Sequence, residues 1–300
     1  MVYVFGTVCL DRVHNVNSFP SPGGYVEIDD SQEYLGGEAF NTAKALVAWG
    51  HDVTLIGNRL DDKSLTSKLH EEAISTIISF EQAGPLPVCD IYVTPNGQRT
   101  MFGRGFRELP GLAQPELLPH DPGAWVTVDT NVGAAVEDLV VGARHKKMPA
   151  YVEDYMSDTL ERCDMWQSST DWYGTPGDLA VNQEVVRSFA SKLGCYCILT
   201  DGPFGVVAGG QDPLGHKWPV QSFPAFPAHP LVDTTGAGDA LRAGMLHGLT
   251  QSWPMLESLR FACATASLTC GWAGASSNVP TRNEIETLIC KYPEVSWHYE

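Results

Sequence analysis

The stretch from Leu231 to Gly244 reads LVDTTGAGDALRAG and brings together the residue types that proton transfer beside an anion requires. Gly236 and Gly238 let the backbone turn tightly and approach a ligand closely. The amides at the start of the helix that follows have no partners of their own and stabilise negative charge. Asp239 falls in the first turn of that helix, beside the place where an anion would lie. Two negative charges repel, so this carboxylate needs a reason to be there. Phosphoryl transfer supplies one: the acid takes the proton of an attacking hydroxyl while the amides hold the charge on the transferred group. Taken alone, the same four residues also read as an ordinary helix start, where an aspartate is favoured by capping and by the macrodipole. No GxxxxGK[ST] loop and no GxGxxG fingerprint occurs, so P-loop and dinucleotide-binding folds have no support.

The elements that must position this turn follow from hydrophobic patterning. Val2 to Leu10 reads as a buried strand, and Gly36 to Gly50 as a helix opened by two glycines and closed by one. Val53 to Gly57 is a strand and Asp61 to Ala73 a helix. The alternation continues through a strand at Trp125 to Asp129, a helix around Ala134 to Ala143, and strands at Tyr151 to Glu153 and Cys195 to Thr200. Such alternation predicts a largely parallel sheet covered on both faces. The last 65 residues read as helical, with breaks near Pro254 and Pro280. Two segments depart from the pattern. Tyr25 to Tyr34 is polar and extended, and Val88 to Phe102 reads as a hairpin turning at Asn96-Gly97. Together they suit a small antiparallel flap, or lid, over one edge of the main sheet. A lid would exclude water from a reacting phosphoryl group.

Composition bounds the rest. The chain has 300 residues, 43% of them hydrophobic, enough for one large α/β domain. The formal net charge of −17, from 36 acids and 19 bases, excludes nucleic-acid binding through a basic surface. No apolar run approaches the roughly 18 residues that span a bilayer. No cationic and apolar leader precedes Val2, so a soluble, cytoplasmic protein is expected. The eight cysteines (Cys9, Cys89, Cys163, Cys195, Cys197, Cys263, Cys270 and Cys290) lack zinc spacing and are expected to be reduced structural thiols.

Four segments in this order resemble the ribokinase-like (PfkB) carbohydrate kinase family over nearly the whole chain. Asp233 to Ala240 (DTTGAGDA) is similar to its C-terminal signature, and Gly36 to Ala43 (GGEAFNTA) to its N-terminal signature. GTVCLD followed by SFPSPGG resembles the first strand and the entry to the lid. Leu259 to Pro280 resembles the C-terminal helix and nucleotide loop. The resemblance implies a ribokinase-like α/β fold over residues 1–300, with a mostly parallel central sheet flanked by helices. It places lid insertions at about 12–35 and 88–105. It implies ATP-dependent phosphorylation of a sugar hydroxyl, with Asp239 as general base and the amides of Gly236, Ala237 and Gly238 as the anion hole. Asp11, Gly37 and Asn41 match acceptor-binding positions, and Asp129 a further sugar-contacting carboxylate. Thr200, Gly202 and Gly205 match the nucleotide-side loop, and Ala273, Gly274 and Asn278 the surroundings of adenine and ribose. Mg²⁺ would arrive with the nucleotide, and some members bind K⁺ near the positions of Asp233 and Thr235. Where the family has Asn-x-x-Glu, this chain has Ser168-x-x-Asp171, leaving Asp171 to organise metal-bound water with a shorter side chain.

The acceptor is not fixed by these motifs. Asp11 and Asn41 favour a polyhydroxylated molecule. Arg99, Arg104 and Arg107 on the lid, with Arg104 taken into the site, would meet an anionic substituent. Phe102, Phe106 and Tyr92 could instead stack on a nucleobase, which makes a nucleoside kinase the alternative. A non-catalytic ligand-binding homologue is a third reading, against which the complete GAGD turn argues. The lid's edge strands suggest a homodimer formed through the lid.

Overall fold

The computed structural model describes residues 1–58, 67, 69, 74–78, 86–108, 118–133, 135–160, 162–293, 295 and 297. The helix expected over Asp61 to Ala73 lies outside them, save for Ser67 and Leu69. Along the chain β1 (Val2–Gly6), β2 (Cys9–Val16) and β3 (Ile28–Gly36) precede helix α1 (Glu38–Ala48). There follow β4 (Val53–Gly57), β5 (Ser75–Ile78), β6 (Val88–Val93), β7 (Arg99–Arg104) and β8 (Trp125–Val128). Helix α2 (Ala135–His145) leads to β9 (Ala150–Glu153) and β10 (Met165–Ser169), and α3 (Leu179–Leu193) to β11 (Tyr196–Thr200), β12 (Val206–Gln211) and β13 (Lys217–Phe223). Three helices close the described chain: α4 (Ala237–Thr250), α5 (Met255–Thr269) and α6 (Arg282–Lys291).

Short Val- and Ile-rich runs of this kind form strands buried on both faces. They build a nine-stranded sheet in the order β13-β12-β11-β10-β9-β8-β1-β4-β5. The pairings from β5 to β11 are parallel, whereas β12 and β13 extend the edge antiparallel, beyond the expected alternation. Adjacent residues of a strand point to opposite faces. Thus Val4 joins Phe40, Met245 and Leu259 in one core, while Phe5 joins Val128, Leu139 and Trp166 in the other. The chain departs from β1 to both sides of the sheet, and in open α/β sheets ligands bind beyond the carboxyl ends of the strands at such a switch point. No helix among the described residues is long and apolar enough to cross a membrane.

The first strand is shorter than the apolar run from Val2 to Leu10 predicts. Thr7 N donates to Asp129 Oδ2 at 2.9 Å and Val8 N to Asn58 Oδ1 at 2.8 Å, so these amides leave the sheet ladder. The chain then enters a second, four-stranded sheet of order β3-β2-β6-β7. The two segments expected to form an antiparallel flap do meet in this sheet, but its central pairing is parallel, and β2 begins at Cys9 and carries the start of the run into it. β2 and β6 run parallel, and the outer pairs run antiparallel. One face of this sheet buries Val13, Ile91 and Val93.

Candidate active site

α4 places the glycine-rich turn. Ten of its residues, from Asp239 to Gly248, are buried, as expected of a helix enclosed on several sides. Gly236 is its N-cap at φ 78°, a left-handed conformation, and a Cβ there would overlap that of Ala275. Asp239 is 7% exposed, and its Oδ2 accepts a 2.7 Å hydrogen bond from Asn41 Nδ2 on α1. Burial raises the Asp239 pKa to about 6, against the lowering effects of Arg242 and Asn41 and with help from Asp129 and Asp154. Asn41 Oδ1 is buried with no partner among the described residues, an acceptor open to a hydroxyl donor.

Asp11 on β2 is 5% exposed and touches the Cys9 thiol, 3.1 Å from its Oδ1. Burial pushes it up to about 7, offset by the Cys9 contact and reinforced by Asp239 and Asp233. The two acids therefore share one desolvated pocket. A side chain at Gly36 would overlap the Asp11 carboxylate, and one at Gly37 the Thr7 carbonyl, so the paired glycines leave room for the acid. Asp11, Gly37, Asn41, Asp239 and the Gly236-Ala237-Gly238 turn are brought together as expected.

Asp129 lies close enough to raise the Asp239 pKa, but its oxygens are engaged by backbone. It is fully buried, and its carboxylate accepts from the amides of Thr7, Ala39 and Asn131. It braces the ends of β1, β8 and α1. Asp233 has a similar bracing part: it accepts from Thr235 N, Thr235 Oγ1 and Gly274 N at 2.6–2.9 Å.

Register on the smaller sheet corrects two further expectations. Residues opposite each other share a face, and faces alternate along a strand. Asp11 pairs with Cys89, and Cys89 with Gly103, so Val93 and its partner Arg99 share Asp11's face. Arg104, Phe102 and Tyr92 lie on the opposite face. Arg104 is exposed and is not the arginine that reaches the site. That arginine is Arg99, whose Nη1 donates to Thr234 Oγ1 at 2.6 Å beside the glycine-rich turn. Phe102 stacks on Phe19 with ring centroids 6.1 Å apart and meets Tyr92 edge-on, on the face away from Asp11. Phe106 packs against Gly103, and Arg107 is exposed.

The residues expected on the nucleotide side lie just after β11 and in the loop between α5 and α6. Thr200 ends β11, and Gly202 and Gly205 form a tight turn with φ of 52° and 97°. Asp201 pins that turn, accepting from Thr170 Oγ1, Gly177 N and Asn182 Nδ2. Ala273, Gly274 and Asn278 lie in the loop between α5 and α6. A narrow cleft lined by Gly236, Ala240, Ala275, Asn278, Val279 and Pro280 adjoins Asn41. Tyr34 and Leu35 of β3 hold this loop from the other side: the Tyr34 ring packs on Gly274, and Ser276 Oγ donates to the Leu35 carbonyl. At the end of β10, Ser168 Oγ donates to Asp154 Oδ1 at 2.5 Å; burial raises the Asp154 pKa against the Ser168 bond and Arg242, with a small addition from the exposed Asp171.

Arg242 and Glu153 escaped the sequence reading. Arg242 is fully buried, with Nη1 2.6 Å from Glu153 Oε2 at the end of β9. A lone cation three residues after Asp239, on an otherwise apolar helix, was the signal for it.

Residues 171–282 match the model of the pfkB family carbohydrate kinases. The chain is 40% identical to a ribokinase of Bacillus subtilis, the alignment covering 96% of this chain and 99% of that protein. It is also 40% identical to ketohexokinase of Mus musculus, over 90% of this chain and 95% of the relative. Arabidopsis thaliana ribokinase complexed with ribose and ATP superposes with a TM-score of 0.73 at 19% identity, covering 96% of this chain and 98% of that one. The chain belongs to the pfkB family of carbohydrate kinases, enzymes that phosphorylate sugar-like acceptors with ATP.

Proposed function

We propose that Asp239 is the general base of this kinase, taking the proton of an acceptor hydroxyl held by Asp11, Asn41 and the backbone at Gly37. The observation that carries this reading is the Asn41–Asp239 hydrogen bond at the first turn of α4, next to Asp11. It fixes one carboxylate oxygen and leaves the other to meet a hydroxyl. The first amides of α4, at Gly236, Ala237 and Gly238, would stabilise charge on the transferred phosphoryl group. ATP would lie along the cleft from Gly236 to Asn278, with Thr200, Gly202, Gly205, Ala273 and Gly274 beside it. The smaller sheet acts as a lid, and the whole chain as a single kinase domain.

Mg²⁺ would come with the nucleotide and neutralise phosphate charge there. Asp171, exposed at the end of β10, suits contact with its water shell. A K⁺ ion at Asp233 and Thr235 would compete with three protein donors on that carboxylate, so K⁺ dependence is not part of this reading. A homodimer formed through the lid fits its outer face, where Phe19 and Phe102 are about half exposed (47% and 52%). A cytoplasmic location fits an ATP-dependent enzyme with seven buried or half-buried thiols and one exposed, all unpaired.

The test is to incubate purified protein with ATP, Mg²⁺ and a panel of neutral sugars, sugar acids and nucleosides. Turnover of a neutral sugar supports the reading. Turnover confined to nucleosides replaces the acceptor, and thermal stabilisation by ligands without turnover replaces the enzyme with a binder.

A further inference from the structure

Arg242 is a full cation with no exposed surface, one turn beyond Asp239 on α4. A methionine or leucine would fill comparable space without the cost of desolvating a guanidinium. The charge is held from three directions. Nε donates to Thr42 Oγ1 at 2.9 Å and Nη2 to the Glu38 carbonyl at 2.7 Å, both on α1. Nη1 forms a 2.6 Å ion contact with Glu153 on β9, and Nη2 stands 3.7 Å from Asp239 Oδ1. Glu153 is anchored in turn. Gln167 Nε2 donates to Glu153 Oε1 at 2.9 Å and to the Gly238 carbonyl at 3.0 Å, and Tyr151 donates to Gln167 Oε1. The contacts close a ring: Asp239, Arg242, Glu153, Gln167 and back to Gly238, the residue before the base.

This ring lies among carboxyl groups from every side. Asp11 faces Asp239 from β2, Glu38 from α1, Asp129 from the end of β8, and Glu153 and Asp154 from the end of β9. Their mutual repulsion and burial favour protonation, which would disable a base. Arg242 opposes this, and its distances show an unequal division: the shorter contact goes to Glu153 and the longer to Asp239. A tight pair with Asp239 would make it a poor proton acceptor, and no cation would leave it protonated.

We propose that Arg242 is a positioning residue for Asp239, a counter-ion shared with Glu153 that keeps the base ionised without pairing to it closely. This inference rests on Asp239 being the base. It makes predictions of opposite sign for two substitutions, which a merely structural role does not. Removing the cation in Arg242→Gln should move the acidic limb of the kcat/KM profile to higher pH by about one to three units. Removing its competitor in Glu153→Gln should free Arg242 for Asp239 and move the same limb to lower pH. Arg242→Lys keeps the charge but not the fork, and should leave the limb nearer its wild-type position with a reduced kcat.

The profiles are measured with ATP, Mg²⁺ and the best acceptor from the panel, with Asp239→Asn alongside. If Arg242→Gln does not fold, the Glu153→Gln limb decides alone: a downward shift supports the proposal and an unmoved limb overturns it. Unmoved limbs with an inactive Asp239→Asn remove the role of Arg242 and leave the base in place. An active Asp239→Asn removes the base itself, and this inference with it.

Discussion

The two halves of the site are built from different materials. On the proposed acceptor side the groups are side chains: Asp11, Asn41, Asp239 and Arg242 are buried, with Asn41 bonded to Asp239, Arg242 to Glu153, and Asp11 held by the Cys9 thiol. On the proposed nucleotide side they are turns: Gly202, Gly205, Gly236 and Gly274 all have positive φ, and their carboxylate neighbours Asp201 and Asp233 serve as braces. A desolvated ionisable group is tuned by its neighbours, so the acceptor half is sensitive to charge. A backbone cradle also favours an anion but carries no titratable group, so it is sensitive above all to shape.

The largest departure from wild type is expected where the two halves meet. Asp239→Asn keeps the shape and removes the base, so kcat should fall by about 10² to 10⁴ while ligand binding persists; a rate within about tenfold of wild type rejects the assignment. Asp11→Ala should raise the acceptor KM by about 10- to 100-fold, the worth of a hydrogen bond to a charged group, and leave the ATP KM alone. A raised ATP KM would blur the division between the halves. Gly236→Ala tests the shape-sensitive half. It forces a left-handed residue against Ala275, a strain of about 1–3 kcal/mol, so ATP-induced thermal stabilisation should weaken and the melting temperature drop.

The smallest effect is also the most diagnostic of the charge-sensitive half. Asp11 and Asp239 have folded-state pKa values raised to about 7 and about 6. A carboxyl group with a raised pKa binds its proton more tightly when folded, so it contributes stability below its unfolded pKa and loses it as pH rises through the folded value. Activity has the opposite requirement. Between pH 8 and pH 5 the melting temperature of the free protein should climb by a few degrees while kcat/KM falls, to be read by calorimetry and initial rates in one buffer series. Parallel trends would show that these acids are not the desolvated pair described above.

Much of this could be read from residue order. The GAGD turn, the paired glycines before α1, the alternation of strands and helices, and the Asn96-Gly97 hairpin all announce local geometry. What stayed hidden depended on the destination of side chains. Val2 to Leu10 is apolar throughout, and nothing in its pattern says that Asp129 and Asn58 capture Thr7 and Val8 and divert the chain into another sheet. Asp129 itself ends a strand as a sugar-binding acid would, yet spends its oxygens on amides. Arg104 and Arg99 differ only in strand parity, which cannot be counted until the register with β6 and β2 is known. Arg242 could not be read as a buried cation because its partner, Glu153, is 89 positions upstream.

The loop from Ala273 to Asn278 is held between two supports: the Asp233 carboxylate grips Gly274 from the turn that precedes the base, and Tyr34 and Leu35 grip the same loop from the smaller sheet. Movement of that sheet on acceptor binding would therefore work on the wall of the cleft proposed for ATP. The two ligands would then be thermodynamically linked, and the factor by which ATP changes acceptor affinity would equal the factor by which the acceptor changes ATP affinity. The kinase should behave as a balanced pair of sites, each reporting the occupancy of the other, with the small glycine loop as the fulcrum.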